Sequence, residues 1–412
     1  MFMYSKALLF VSFIVLSLVQ TAFPQDLATR LAADNTAIRV TETGTLAIEG
    51  NVLAFFKDNE FEGEQSKGYS LPGFWMQPRL TYQPLMALRF EAGFHALVFE
   101  GANKYPCYVY HDIGRWKGFQ YQSGAHLLPF FRAQAQVGRA QFVFGNLFGG
   151  ANHRLMEPLM NPEVNLTQDP EMGFQLLIDL PGWRLDAWVN WQSYIFEEDT
   201  HQEAFTVGLS QRIAFNAPSS QWHWFMPVQV LTQHRGGEQD VTDMGVQTVV
   251  NGGMGFGVTW NGGGAVLRRM SGEVSLLACW QQSGELWPFD KGVAGAVAVD
   301  AEFGREFRLF GGLFATKKFV SLYGAPFYST LSQKHEGARF SHLLTPHFGA
   351  EWSHTFSDDY ILGVKADIYP LHAGRLTLSG SELQPATFAN NFSFGVYLRL
   401  HPRFVLKRFL WH

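Results

Sequence analysis

Arginines and carboxylates recur at two-residue spacing inside stretches that are otherwise apolar. Arg89 and Glu91 precede His95, and the interval repeats at Arg184 and Asp186, Asp300 and Glu302, and Lys365 and Asp367. Arg79, Arg132, Arg139, Asp179, Arg212, Arg308, His347, Glu351 and Arg399 stand among hydrophobic neighbours in the same way. Side chains two apart lie on one face of an extended chain. A face carrying both signs suits contact with water, ions and polar solutes, and is costly to bury in a dry core. Asp179 and Arg184 face each other across Pro181–Gly182, as do Glu302 and Arg308 across Gly304. Each pair is expected to form a wall ion pair worth up to ~1 kcal/mol. The mixed signs predict no strong preference for anions or cations.

Hydrolytic signatures are sparse. The chain holds no G-x-S-x-G elbow and no H-E-x-x-H motif. His111–Asp112 resembles the start of a metal-dependent phosphohydrolase motif, but no second ligand pair follows at fixed spacing. Ser193 and His201 are close enough in sequence for a serine–histidine pair of the kind outer-membrane lipid hydrolases place on the outer wall, yet nothing else supports them. Gly253, Gly255 and Gly257 precede no helix and read as a bend or a relief of crowding in a strand. Cys107 and Cys279 match no metal site or disulfide framework. The expectation is therefore a protein that is not an enzyme, with no catalytic residue, cofactor or metal.

The elements that position these residues are long strands. From Met86 to Val98 the even positions Met86, Leu88, Phe90, Ala92, Phe94, Ala96 and Val98 are apolar, and Arg89, Glu91 and His95 fall between them. Thirteen alternating residues exceed the usual ~5–6 of a soluble strand and suit a tilted strand crossing a bilayer, which needs about 9–11. The pattern recurs about sixteen times with long and short connections alternating. At the short-turn ends, Tyr82, Trp183, Phe215, Trp222, Trp260, Phe303, Phe307 and Tyr360 continue each strand's apolar face, which predicts an aromatic girdle at one membrane interface. Residues 1–25 read as a signal peptide with Lys6 before an apolar Ala7–Val19 stretch. Residues 26–44 read as a periplasmic lead-in and 45–412 as one all-β transmembrane antiparallel up-and-down barrel. Alternation closes at Phe392–Leu400, and Pro402–His412 reads as a tail.

This plan resembles the bacterial outer-membrane β-barrel proteins, the sixteen-strand general porins in particular, by architecture over nearly the whole mature chain. The resemblance implies the outer membrane of a Gram-negative bacterium and a lumen wide enough for passive passage of small hydrophilic solutes. The charged residues named above would line it. In porin-like proteins the third extracellular loop folds inward. Here that loop is Leu147–Met172, Phe148–Gly149–Gly150 resembles the glycine step, and Arg154, Glu157, Glu163 and Asp169 would reach the constriction. Two other readings remain open. One is a structural or assembly component with a filled lumen, whose Gly101–Ala125 loop (Tyr105, Tyr108, Tyr110, Trp116) and Thr316–Leu343 loop would bind an envelope protein. The other is an outer-membrane hydrolase. Expected partners are outer-membrane lipid, small solutes, and an envelope protein or a second copy. A net charge of −5 without a basic cluster excludes nucleic acid.

Overall fold

The computed structural model describes residues 26–100, 124–195, 201–217, 219–237, 245–262, 264–335, 337–357, 359–378, 381–383 and 388–409. The signal-peptide stretch, Cys107, His111–Asp112 and the Gly101–Ala125 aromatics lie outside them. Sixteen antiparallel strands close into a barrel. In order they are β1 (Thr45–Glu49 and Val52–Phe61), β2 (Tyr69–Met76 and Arg79–Leu85), β3 (Leu88–Phe99), β4 (Gly124–Val137), β5 (Ala140–Asn146), β6 (Met172–Leu180), β7 (Trp183–Ser193) and β8 (Ala204–Ala214). The second half is β9 (Trp222–Arg235), β10 (Gln247–Asn261), β11 (Leu267–Ser283), β12 (Lys291–Phe303), β13 (Phe307–Lys317), β14 (Leu343–Ser357), β15 (Tyr360–Ala373) and β16 (Ala389–Leu400 and Arg403–Arg408). Each strand pairs with the next, and β16 returns to β1 with Phe394 opposite Asp58 and Arg403 opposite Glu49. No helix among the described residues is long and apolar enough to cross a membrane; the strands do so.

Three neighbouring strands break at one height. Pro78 and Pro402 have no N–H to give a ladder, and the chain kinks beside them. The gaps are closed by Asn51 and Gln77, which exchange backbone bonds (Asn51 N–H to Gln77 O, 3.2 Å; Gln77 N–H to Asn51 O, 2.7 Å), and by Gly50 N–H donating to Pro402 O at 2.9 Å. Beyond its kink β16 runs on along β1, so most of the expected C-terminal tail is the periplasmic half of the last strand. The β2–β3 turn is Met86–Ala87 rather than Gln83–Leu85. Gln83 stays in the strand because its carbonyl accepts from Gly44 N–H at 2.7 Å and its Nε2 donates to Arg39 O at 2.8 Å. Arg139 lies exposed in the β4–β5 turn and does not line the lumen; Gly138, at φ +61°, turns the chain one residue earlier.

The outer face is apolar along the strands, with Phe94, Phe131, Leu276, Phe348 and Phe394 exposed to the hydrocarbon. Trp222 and Trp260 meet at 6.4 Å between ring centroids and Phe303 and Phe307 at 6.5 Å, at the short-turn end of the wall. Inside, the two halves differ. The periplasmic half is charged. The extracellular half is apolar and filled by two loops.

The loop after β5 packs Leu147, Phe148, Leu159, Val164 and Leu166 inward. The loop after β13 buries Phe319, Val320, Leu322, Phe327, Tyr328 and Leu331 against Leu231, Val249, Leu277 and Phe314 of the wall. Asn251 of β10 holds the second loop at both polar groups: its Nδ2 donates to Val320 O at 2.8 Å and its Oδ1 accepts from Leu322 N–H at 2.7 Å. Met160 and Tyr323 bridge the two loops. Above them, Arg339–Phe340, Leu376–Leu378 and Ser381–Leu383 form a small sheet.

The lead-in is not a free tether. Helix α1 (Leu27–Ala32), capped by Asp26 accepting from Thr29 N–H at 2.8 Å, enters the periplasmic mouth. Leu27 N–H donates to Glu351 at 3.1 Å, and Arg399 donates to the carbonyls of Arg30 (2.7 Å) and Ala33 (3.2 Å).

Candidate functional site

Most charged residues read as lining a pore face inward, but they pair with one another. Asp34, from the segment after α1, sits between Arg79 (2.7 Å) and Arg132 (3.3 Å). Glu91 meets the same two arginines at 3.3 Å each, and Arg89 at 3.1 Å. Burial opposes the Asp34 charge, yet Arg79 and Arg132 outweigh it and hold the carboxyl far below the usual range. Arg308 pairs with Asp300 (3.4 Å) and Glu351 (3.1 Å), Arg269 with Glu302 (3.6 Å), and Lys365 with Asp367 (3.3 Å). The expected Glu302–Arg308 and Asp179–Arg184 ion pairs do not form, although both remain partners in the ladder. Longer side chains reach past the directly opposite residue to a neighbour's carboxylate.

The inward loop distributes its four expected constriction residues. Glu163 accepts from Lys57 (2.5 Å), Asn59 (3.0 Å) and Tyr69. Asp169 meets His126 at 2.8 Å and Glu157 accepts from Tyr369 at 3.1 Å, while Arg154 faces the periplasmic cavity. His95 Nδ1 contacts Gln77 at 3.0 Å, and the Arg212 guanidinium stacks over Phe225 at 3.7 Å.

A histidine able to act as a base needs an unoccupied ring nitrogen and access to substrate. His153 has neither, with Nδ1 at 2.9 Å from Asp186, Nε2 at 3.0 Å from Glu171 and its ring stacked on Trp188. Burial alone would lower its pKa, but the two carboxylates push it up to about 9. His347 is held by Asp367 (2.9 Å) and Tyr328 (3.3 Å). His234 is held by Thr248 (2.9 Å) and Gly236 O (3.0 Å). The suggested Ser193–His201 pair does not form: Ser193 Oγ is buried without a partner and His201 Nε2 meets Tyr194 O at 2.8 Å.

The outer wall carries a different arrangement. Across β11 to β15, near their extracellular ends, a groove of about 680 Å³ is lined by Leu276, Val293, Gly295, Ala315, Leu344 and neighbours. Small residues open it, and a Cβ added at Gly295 would meet nothing within 4 Å. Its upper rim carries Lys317, His342 and His372, all exposed and outward. Leu344 is opposite both Ala315 and His372, so the ladder sets Lys317 beside His342 and His372 diagonal to it. Ser341 Oγ lies 3.1 Å from His342 Nδ1. Arg375 N–H donates to that Oγ at 3.1 Å, which leaves the hydroxyl proton for the imidazole. Gly374 makes the arrangement possible: a Cβ there would come within 2.4 Å of Ser341 Oγ and 2.5 Å of His342 Nδ1. A serine, a base and a cation thus stand at the head of an apolar groove open to the bilayer. Sequence reading placed Ser341 and His342 inside a long loop. The available signal was parity, since His342 continues the outward series Leu344, Pro346, Phe348.

No curated protein sequence matches the chain. Among solved structures the barrel is similar to Pseudomonas aeruginosa OccK1 (TM-score 0.46, 11% identity, 87% of this chain and 99% of that one) and OprD (0.47, 8%, 90% and 98%). It is also similar to Acinetobacter baumannii OccAB3 (0.48, 9%, 87% and 99%). Residues 38–409 match the lipid A 3'-O-deacylase-type family. That match overturns the expectation of a protein that is not an enzyme, because the family is an enzyme family. This outer-membrane barrel belongs to the lipid A 3'-O-deacylase-type family.

Proposed function

We propose that the protein is an esterase of the outer leaflet that removes an ester-linked acyl chain from lipid A. The observation that carries this reading is the Ser341–His342 hydrogen bond at the rim of a lipid-facing groove. His342 Nδ1 takes the Ser341 proton as Oγ attacks the acyl carbonyl. The tetrahedral oxyanion forms near Lys317, whose charge opposes the developing negative charge. The ester C–O bond then breaks, protonated His342 returns the proton to the leaving sugar oxygen, and water hydrolyses the acyl-serine by the same route in reverse. The acyl chain stays in the groove while the polar headgroup remains among the cations above it.

Mass spectrometry of lipid A incubated with the purified protein tests this. Loss of one acyl chain is expected, with Ser341→Ala and His342→Ala each lowering the rate by ~10³-fold or more. Unchanged lipid A, or full activity in both variants, overturns it. Passive solute passage is not favoured, because Phe319, Phe327, Tyr328 and Leu331 occupy the extracellular half of the lumen.

A further inference from the structure

A glycine inside a strand is costly unless something requires it, because it orders a mobile backbone and offers no side chain to pack. Three glycines of β12 and β13 are required by crowding. A Cβ at Gly292 would fall 2.0 Å from Lys318 O, and one at Gly312 2.4 Å from Val297 O. One at Gly311 would fall 3.1 Å from His347 O and 3.2 Å from the Phe348 ring. Gly295 is different: its φ lies outside the left-handed region, and a Cβ there would meet nothing within 4 Å.

What glycine leaves at this position is a hollow in the outer wall. The outward residues at this height run Leu276, Gly295, Ala315 and Leu344 from β11 to β14, each directly opposite the next. Two small residues thus lie between two exposed leucines. The next outward row towards the periplasm is Val274, Val297, Leu313 and Pro346, with no small member. In the row above, Val293 stands opposite Lys317. The hollow therefore opens beneath Lys317 and is stopped by Val297 and Leu313. Four residues separate Lys317 from Leu313, about 13 Å along the strand. An extended hydrocarbon chain, advancing ~1.2 Å per bond, covers that depth in about ten bonds.

Hydrocarbon gains little by moving from lipid to a flat apolar wall, since the two are equally apolar; closer packing is what distinguishes a seat on the wall from the bulk bilayer. A floor of Gly295 and Ala315 between Leu276 and Leu344 supplies that packing, and Ser341 and His342 lie at its head. We propose that Gly295 and Ala315 form the seat of one linear acyl chain of an anionic outer-leaflet lipid and so determine which chains are cleaved. The seat fixes the first carbons of the chain and sets the ester carbonyl at Ser341, with Lys317 above it facing the anionic headgroup. This inference rests on reading the groove as the esterase site.

The test uses purified full-length protein in detergent micelles with butanoyl, decanoyl and hexadecanoyl esters of nitrophenol. For the unaltered protein kcat/KM should rise from butanoyl to decanoyl and little further to hexadecanoyl. Gly295→Leu and Ala315→Leu, which fill open space, should each raise KM for the decanoyl ester by ~10-fold while kcat and the butanoyl reaction stay unchanged. Val297→Ala should lengthen the hollow by one row and carry the rise on to longer chains. A second measurement needs no turnover: Ser341→Ala protein is irradiated with phosphatidylglycerol bearing a diazirine in one acyl chain. Cross-links are expected within residues 293–297 and 313–317, and Gly295→Leu should remove them. The same KM and length dependence in Gly295→Leu, or cross-links spread evenly over the outer wall, overturns the seat. Cross-links confined to the hollow in a protein that hydrolyses none of these esters and leaves lipid A intact would support the seat and sink the esterase reading alone.

Discussion

What each histidine does is decided by what its second ring nitrogen meets. His153 is clamped on both sides and carries its charge inside the barrel, whereas His342 shares one nitrogen with a serine at the membrane surface. The clamp has a pH signature. Because Glu171 and Asp186 raise the His153 pKa from 6.5 to about 9, against the effect of burial, its contribution to stability is complete below about pH 6.5 and is lost as pH rises through about 9. Thermal unfolding of the unaltered protein should weaken over that window. A His153→Asn variant should be less stable at neutral pH and lack that part of the pH dependence; an unchanged slope would refute the charged clamp.

At the scale of elements, the two inward loops determine what kind of barrel this is. Phe327 shows how the second is held: its ring lies 4.8 Å from Phe61 and 4.7 Å from Tyr369. Phe327→Ala should cost about 3–5 kcal/mol of unfolding free energy and open the loop to protease before the barrel itself unfolds. The loop's carbonyls are also gathered by Gln65, whose Nε2 lies 2.6 Å from Pro326 O and Ser329 O and 3.0 Å from Leu331 O. Truncating Gln65 to Ala should loosen the loop without disturbing strand pairing, measurable as faster amide exchange at Phe327–Leu331 alone.

Across the whole molecule, the outer groove and the lumen are separated by the wall. The groove faces the outer leaflet, the cavity faces the periplasm, and the apolar plug lies inside the extracellular half of the barrel, behind the groove. Planar-bilayer recording should therefore show no steady ion current. Removing residues 319–331 should produce one, since that segment buries Phe319, Phe327, Tyr328 and Leu331 in the cluster with Leu231, Val249 and Phe314 of the wall. Current through the unaltered protein would show that the plug leaves at equilibrium.

Alternation, the aromatic ends of Trp222 and Phe307, and the long and short connections are local properties of a chain with period two, so the sixteen-strand barrel was legible in the residues themselves. The contents of the lumen were not. Inward Leu231, Val249, Leu277 and Phe314 break the polar pattern of the inner face only where a distant loop covers them, and no window along the chain shows which loop that is. The ion pairs were equally hidden: Leu27 reaches Glu351 across 324 residues, and Arg308 prefers Asp300 and Glu351 to the ladder partner Glu302. Ser341 and His342 were ordinary neighbours until strand register set Lys317 and His372 beside them. Which face a residue takes follows from its own strand; what it meets there is set by chain closure, a long-range event that only the assembled barrel records.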